Sequence, residues 1–172
     1  MKLLRLFIVI VVVFPWAISP SYGVREQRLP NRTITVMQPG VGIGNISIGD
    51  DLSLIIEKMG YKPASGKTVK SGSLTEYWID YSDLGITFIF AEDKRLVRVA
   101  VSNPGIVVAD RDIRVNTSIR ELLRAYGAGQ SEKLKGGYER ITYDDQGVSF
   151  TINTTTQRIE TIVIQKRLRR QQ

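Results

Sequence analysis

The sequence predicts an α+β fold in which two tandem helix-plus-three-strand repeats form a helix-packed antiparallel sheet. Two observations lead to this prediction. An apolar helical stripe followed by Gly60 recurs 67 residues later as a stripe followed by Gly127. A strand pattern at residues 79–90 then recurs 62 residues later, at residues 141–152. Because a unit of about 60 residues rarely covers its helix and sheet alone, we expect the two copies to share one core.

The two helices are predicted from apolar residues at the spacing i, i+3, i+4, i+7, which lines one face of a helix. These residues are Leu52, Ile55, Ile56 and Met59 in the first helix and Ile119, Leu122, Leu123 and Tyr126 in the second. Asp50 or Asp51 can accept hydrogen bonds from the free amides of the first helix. Ser118 and Glu121 form a capping box for the second. Gly60 ends the first helix, where a left-handed cap needs no Cβ, and Gly127 closes the second.

A loop and three strands follow each predicted helix, and the short turns between strands indicate antiparallel meanders. The strands lie at residues 76–81, 85–90 and 96–101 in the first repeat and at 139–143, 147–152 and 159–164 in the second. Residues 33–37 and 106–108 suggest two further strands.

Alternation along the strands assigns every second side chain to each face of the sheet. The helix-facing set is Ile79, Tyr81, Ile86, Phe88, Phe90, Val99, Val101, Ile141, Tyr143, Val148, Phe150, Ile152, Ile162 and Ile164. The opposite, open face carries Trp78, Asp80, Thr87, Ile89, Leu96, Arg98 and Ala100, and then Arg140, Thr142, Ser149, Thr151, Ile159, Thr161 and Val163.

The first residues of the chain have the pattern of a secretory signal. A basic start, an apolar stretch at residues 6–18 and the pattern Ser21-Tyr22-Gly23 predict a cleaved signal peptide. The apolar stretch is shorter than the roughly 20 residues that cross a bilayer, so an uncleaved membrane anchor is the less favoured alternative. The predicted segments are a signal peptide at 1–23, a linker at 24–32, a single domain at 33–165 with repeats at about 40–103 and 106–165, and a basic tail at 166–172.

Composition excludes several kinds of chemistry. The 172 residues include no cysteine, so there is no disulfide and no lipid-modified cysteine, which favours a periplasmic or secreted bacterial protein. They also include no histidine, so the commonest general base and metal ligand is missing. We expect no cofactor and no metal site. The net charge of +7 comes from the chain ends, and the body is nearly neutral, which argues against nucleic acid as a partner.

Pairs of carboxylates are the remaining candidates for catalysis. They are Asp50 with Asp51, Asp80 with Asp83, Glu92 with Asp93, Asp110 with Asp112, and Asp144 with Asp145. Such pairs can serve glycoside hydrolysis or bind calcium. Helix capping explains the first pair and turn formation the others, so a structural role is favoured for each.

The pattern as a whole resembles a known group of small envelope proteins. A Gly-x-Ile-x-Ile-Gly lead-in and capped helix at residues 44–60 are followed by an aromatic-x-x-x-Gly-apolar-x-Phe pair at 81–88 and a closing apolar strand at 96–101. This is similar to the tandem α/β repeat of the β-lactamase-inhibitor-protein-like and SmpA/OmlA group. The resemblance implies a helix-packed sheet whose open face binds another protein. The acylated cysteine of the lipoproteins and the disulfides of the inhibitors are absent here, and no residue is matched to the inhibition of a β-lactamase.

The candidate site is the open face around Trp78. Trp78 and Arg98 among aliphatic side chains have the composition of an interface hot spot. The candidate binding residues are Trp78, Ile89, Leu96, Arg98 and Arg140, the last being the counterpart of Trp78 in the second repeat. A second interpretation stays open, in which residues 33–48 fold across this face and bury Trp78.

These observations predict an exported, non-enzymatic module that binds a protein partner through its open sheet face. One alternative is a carboxylate-based enzyme acting on envelope polysaccharide. Another is binding to a membrane surface or a polyanion through the tail, by way of Lys166, Arg167, Arg169 and Arg170. The partner's identity and the oligomeric state do not follow from the sequence.

Overall fold

The computed structural model describes residues 36–60, 63, 65–108 and 111–167. Several predicted features lie outside the described residues: the signal peptide at 1–23, the linker at 24–32, the first residues of the predicted domain at 33–35, Asp110, and the end of the tail at 168–172.

The described part of the chain folds into two helices and thirteen strands. The helices are α1 (Leu52–Met59) and α2 (Ile119–Tyr126). The strands are β1 (Val36–Gln38), β2 (Gly42–Ile43), β3 (Ile46–Ser47), β4 (Ser65–Ser71), β5 (Leu74–Tyr81), β6 (Ile86–Phe90), β7 (Leu96–Val101), β8 (Val107–Val108), β9 (Ile113–Arg114), β10 (Gln130–Leu134), β11 (Tyr138–Tyr143), β12 (Val148–Asn153) and β13 (Arg158–Gln165).

The strands form two sheets. The main sheet has eight strands in the order β10-β11-β12-β13-β7-β6-β5-β4, and every neighbouring pair is antiparallel. The small sheet has five strands in the order β3-β2-β1-β8-β9, with β1 and β8 parallel. The predicted mixed α+β class is therefore confirmed, with strands dominant.

Local signals at the helix ends were interpreted correctly. The Asp51 carboxylate accepts a hydrogen bond from the Ser53 amide at 2.9 Å, and Gly60 ends α1 in the left-handed conformation with φ 71°. In α2 the Ser118 hydroxyl accepts from the Glu121 amide at 3.3 Å. The Glu121 carboxylate accepts in return from the Ser118 amide at 3.1 Å. The two predicted caps are confirmed.

One hydrophobic core joins both helices, the small sheet and one face of the main sheet. Its buried members are Met37, Ile43, Ile46, Ile55, Met59, Tyr81, Ile86, Phe88, Phe90, Leu96, Val99, Val101, Ile106, Val108, Ile113, Val115, Leu122, Tyr126, Ile141, Tyr143, Val148, Phe150, Ile152, Ile159, Ile162 and Ile164. Tyr126 of α2 packs against the rings of Tyr143 and Phe150, with ring centroids 5.0 and 5.1 Å apart. Leu123, predicted in the apolar stripe, is instead 41% exposed.

Each half of the main sheet has four strands, and the predicted three per half were wrong. The additional strands, β4 and β10, are the outer strands of the sheet. Their sequences, SGKTVKS and QSEKL, are mostly polar and lack apolar alternation, so nothing local marks them as strands. Pairing with β5 and β11 along their whole lengths holds them in the sheet.

The predicted positions of Leu96 and Ile159 on the open face were wrong, for one physical reason. Between β6 and β7 the pairing passes from Ile89 with Arg98 to Phe90 with Leu96, so β7 has one extra residue. The same irregularity between β12 and β13 pairs Ile152 with Ile159. A β-bulge reverses the alternation on one side of it. Leu96 and Ile159 therefore point into the core, where they are 1% and 0% exposed.

The two halves share further backbone details. Matching hydrogen bonds join the lead-in of each helix to the start of the last strand of its half. They are Gly49 N to Leu96 O and Asn116 N to Ile159 O, Leu52 N to Lys94 O and Ile119 N to Gln157 O, and Leu96 N to Asp50 O and Ile159 N to Thr117 O. Lys94 and Gln157, both with positive φ, turn the chain at equivalent points.

Candidate functional site

The open face of the main sheet is the one opposite the core. Met37, Ile43 and Ile46 of the small sheet are buried in the core together with the apolar faces of the helices. They therefore lie on the other side of the main sheet from Trp78, which is half-buried. The described part of the segment 33–48 therefore does not fold across Trp78.

A row of side chains crosses the first half of this face. Strand pairing places Lys67 opposite Trp78, Trp78 opposite Ile89, and Ile89 opposite Arg98. Ile89 is only 3% exposed although it lies outside the core cluster. Its neighbours in the row are much larger side chains, so Ile89 forms the apolar floor between Trp78 and Arg98.

Glu76 connects the two ends of this floor. Its carboxylate accepts a hydrogen bond from the Trp78 indole nitrogen at 3.1 Å and forms an ion pair with the Arg98 guanidinium. The Lys67 ammonium lies 4.8 Å from the centroid of the Trp78 ring, within cation–π distance. These contacts fix the orientation of the indole, so little side-chain freedom remains to be lost when a partner covers it. We call Lys67, Glu76, Trp78, Ile89 and Arg98 the Trp78 cluster.

An open groove adjoins the Trp78 cluster, which contributes Glu76 and Arg98 to its wall. The groove is lined by Ser73, Leu74, Thr75, Glu76, Ala91, Glu92, Asp93, Val97, Arg98, Gln165 and Lys166. Leu74 is 67% exposed. Val97, the extra residue of the β7 bulge, adds a second apolar side chain. The groove therefore offers apolar contact with charged groups around it, which is the composition of a protein-binding surface.

The structure brings three of the five predicted binding residues together: Trp78, Ile89 and Arg98. Leu96 is in the core, as described above. Arg140 lies on β11, five strands away from Trp78 on β5. At about 4.8 Å per strand, this separation is roughly 24 Å. Arg140 is exposed and makes a 3.4 Å ion pair with Glu132, so it belongs to a separate, polar part of the face.

The described residues of the predicted tail site, Lys166 and Arg167, have different surroundings in the structure. Lys166 is exposed and lines the groove. The Arg167 guanidinium donates a hydrogen bond to the Pro39 carbonyl at 3.1 Å, which ties the end of the main sheet to the turn after β1. Arg169 and Arg170 lie outside the described residues.

Several of the paired carboxylates have structural partners. Asp50 forms a 2.7 Å ion pair with Lys58. Burial raises the pKa of Asp50, but hydrogen bonds from Lys58 and the Ser47 amide outweigh it and hold the pKa below its ordinary value. Asp80 accepts a hydrogen bond from the Thr87 hydroxyl at 3.1 Å. In the described part of the chain, no group of three or more carboxylates is placed to hold a metal ion.

Lys67, Leu74 and Glu76 are the members of this surface that sequence reasoning missed. Glu76 already lies in the predicted strand with the parity of Trp78, and extending that strand by two residues would have placed Leu74 on the open face as well. Lys67 lies on β4, whose sequence gives no strand signal.

Comparisons with known proteins concern the fold. No family model and no curated protein matches the chain. The crystal structure of the uncharacterized protein yfeY from Escherichia coli is similar with a TM-score of 0.56 and 13% identity, covering 78% of this chain and 100% of that one. The DUF4309 family protein YjgB from Bacillus subtilis has a TM-score of 0.50 and 12% identity, covering 74% and 88%. At these identities the likeness shows a shared fold alone.

A third structure covers part of a longer protein. It is an extracellular protein containing a SCP domain from Bacillus anthracis, with a TM-score of 0.49 and 14% identity. The match covers 69% of this chain and 44% of that protein, so this chain spans less than half of its length. Within the described residues, neither helix has the length and apolar character needed to cross a membrane.

Proposed function

We propose that this chain is an exported, non-enzymatic binding protein that holds a protein partner on the first half of its open sheet face. The observation that carries the proposal is the Trp78 cluster, in which an oriented indole and an arginine flank a buried isoleucine beside the exposed Leu74. Trp and Arg are among the residues most enriched at interface hot spots. The face lies on the opposite side of the main sheet from the helices, so a partner can reach it without disturbing the core.

The asymmetry of the face supports a site confined to its first half. Across the second half, the equivalent positions carry Thr142, Ser149, Thr151 and Thr161 with the Arg140–Glu132 pair. Short hydroxyl side chains supply little apolar area to a partner. The matching hydrogen bonds and bulges are consistent with two halves that derive from one duplicated unit. In that case Trp78 and Arg140 occupy equivalent positions, and only the first half has the apolar surface.

Export is part of the proposal and rests on the sequence pattern of residues 1–23. Periplasmic or extracellular location suits a chain without cysteine that is stabilised by a large packed core. The sequence resemblance to the β-lactamase-inhibitor-protein-like and SmpA/OmlA group supports the binding part of the proposal, because that resemblance implies partner binding through the open face.

The test compares Trp78→Ala with Arg140→Ala as the matched control on the same face. Each tagged full-length chain is used to recover bound proteins from the envelope fraction of cells that produce it, and thermal melts are recorded beside the binding measurements. We expect Trp78→Ala to raise the Kd for the recovered partner by about 30-fold or more, the hot-spot threshold of about 2 kcal/mol. Arg140→Ala should leave the Kd almost unchanged.

Trp78→Ala should also leave the chain folded, because the indole is half-buried and lies outside the core. A loss of about 3 to 5 kcal/mol of unfolding free energy, the cost of truncating a core Trp, together with unchanged recovery of the partner, contradicts the proposal. Equal weakening by both substitutions contradicts the restriction to the first half.

A further inference from the structure

The solvent-facing side of α2 is strongly basic. Arg120, Leu123 and Arg124 have the i, i+3, i+4 spacing that places them on one face, opposite the buried Leu122 and Tyr126. All three are exposed, Leu123 to 41%. Within the described part of the chain, the Arg120 and Arg124 guanidinium groups form no hydrogen bond or ion pair. Their five donors each are thus available to an external ligand.

Three further arginines extend the positive charge along the helix. Arg111 lies over the Tyr126 ring, 4.3 Å from its centroid, and donates to the Ala125 carbonyl at the end of α2. Arg158 donates to the Asn116 carbonyl at 2.6 Å, just before the helix begins. Arg114 lies in the same lead-in, on β9. We call Arg111, Arg114, Arg120, Arg124 and Arg158 the α2 arginine patch.

Two acidic residues near the patch are already engaged. Asp112 forms an ion pair with Arg114. Glu121 is held in the capping box by Ser118, and these hydrogen bonds, with the nearby Arg158 and Arg124, lower its pKa. Among the described residues, five guanidinium groups and two carboxylates leave an excess of three positive charges around a helix that is about 12 Å long.

The fold does not require this charge. The residues of α1 equivalent to Arg120 and Arg124 are Ser53 and Glu57, 67 positions earlier. The α1 helix makes the same kind of packing contact with the core through Ile55 and Met59. The arginines are therefore an addition on one helix, and their excess positive charge favours the binding of a ligand of opposite sign.

We propose that the α2 arginine patch is a docking surface for the anionic phosphate headgroups of a lipid bilayer. Guanidinium groups bind phosphate oxygens in a bidentate manner. Leu123, exposed between Arg120 and Arg124, matches the apolar side chain that an interfacial helix inserts at the level of the headgroups. A nucleic acid fits the patch less well, because Tyr126, the aromatic residue of α2, is buried in the core and offers no ring for base stacking.

This docking sets the orientation of the molecule. The helices and the Trp78 cluster lie on opposite sides of the main sheet. A chain held to the bilayer through α2 therefore turns its open face away from the membrane, toward proteins in the adjoining aqueous space.

The experiment measures the partition of the full-length chain into vesicles containing phosphatidylglycerol and into vesicles of phosphatidylcholine alone. The ratio of the two partition coefficients isolates the charge-dependent part of binding, because any contribution of the apolar N-terminal stretch is common to both. Arg120→Gln with Arg124→Gln should lower this ratio by about 30-fold, from the typical contribution of a basic residue near an anionic surface. Added salt should reduce the wild-type ratio in the same direction.

Two charge-matched controls make the test specific. Lys70→Gln with Arg140→Gln removes two exposed charges, one on the outer strand β4 of the first half and one on the open face, and Arg169→Gln with Arg170→Gln removes two from the tail. Both should leave the ratio within about twofold of wild type, because the proposal assigns the charge-dependent binding to the α2 arginine patch. Melts should show all variants folded, because Gln and Arg have similar helix propensities.

An unchanged ratio for the α2 variant overturns the proposal. So does an equal loss in either control, which assigns binding to total charge or to the tail. Trp78→Ala should leave the ratio unchanged, so that failure of vesicle binding and failure of partner binding are separate results.

Discussion

The substitution Gly147→Ala tests a close backbone approach between the turn after β1 and the main sheet. Gly147 has φ 70°, and a Cβ there would lie 2.5 Å from the Gln165 carbonyl oxygen and 2.8 Å from the Gly40 Cα. Both neighbours are backbone atoms, so neither can rotate away. The Gly147 carbonyl also accepts hydrogen bonds from the Gly40 and Gln165 amides, at 3.3 and 3.0 Å. The methyl group therefore forces apart the contact that fixes the turn after β1 to the end of β13.

The expected cost has two parts. An alanine in the left-handed region costs roughly 1 to 2 kcal/mol. Overpacking against immobile atoms adds about 1 to 3 kcal/mol. Gly72→Ala is the matched control, because Gly72 has φ 59° and nothing lies within 4 Å of its added Cβ. Gly72→Ala should lose only the stability that an alanine in the left-handed region costs. Both variants are stabilised equally by the reduced flexibility of the unfolded chain.

Urea unfolding followed by circular dichroism measures the two free energies. We expect Gly147→Ala to be less stable than Gly72→Ala by about 1 to 3 kcal/mol. In Tm, each kcal/mol should correspond to about 2 to 4 °C for a domain of this size. Equal losses for the two variants would refute the reasoning, because they would show that the Gly40–Gly147 contact does not form in solution.

Two further predictions concern the core and the lead-in to α1. Leu96→Ala should cost about 2 to 5 kcal/mol of unfolding free energy, because the bulge turns Leu96 into the core. The neighbouring Val97→Ala should cost much less. A small loss of stability for Leu96→Ala would contradict the bulge. The Asp50–Lys58 pair should stabilise the fold above the ordinary carboxyl value of 3.8 and lose that effect as the pH falls through the lowered folded pKa. Melts of Asp50→Asn should accordingly differ from wild type at neutral pH and converge with it in acid; a constant difference would argue against the pair.

The parts of the fold that could be predicted from sequence are those with local signals. The Ser118–Glu121 box and the Asp51 cap fix the helix starts through contacts two or three residues away. The inner strands alternate strongly because one face is buried, and their predicted bounds lie within two residues of the observed ones. By contrast, β4 and β10 are held by pairing with a neighbour rather than by burial of their own side chains, so their sequences carry no period.

The candidate site shows the same limit. Alternation placed Trp78, Ile89 and Arg98 on one face correctly, because no irregularity interrupts the strands between them. Alternation failed for Leu96, because a bulge depends on backbone pairing between two strands. The sequence of a single strand does not show where the bulge occurs. Glu76 was missed because its role depends on reaching both Trp78 and Arg98, which are 20 positions apart and meet through strand pairing.

The central claim, that the Trp78 side of the sheet meets a protein partner, is tested most directly by photocrosslinking in cells that produce the protein. p-Benzoylphenylalanine replaces Leu74, which is 67% exposed in the groove, and in a matched chain it replaces Leu123, which is exposed on the helix side. We predict a discrete crosslinked protein from position 74 that disappears when Trp78→Ala is added, and no such product from position 123. The same product from both positions, or a product from position 74 that is indifferent to Trp78→Ala, would contradict the account.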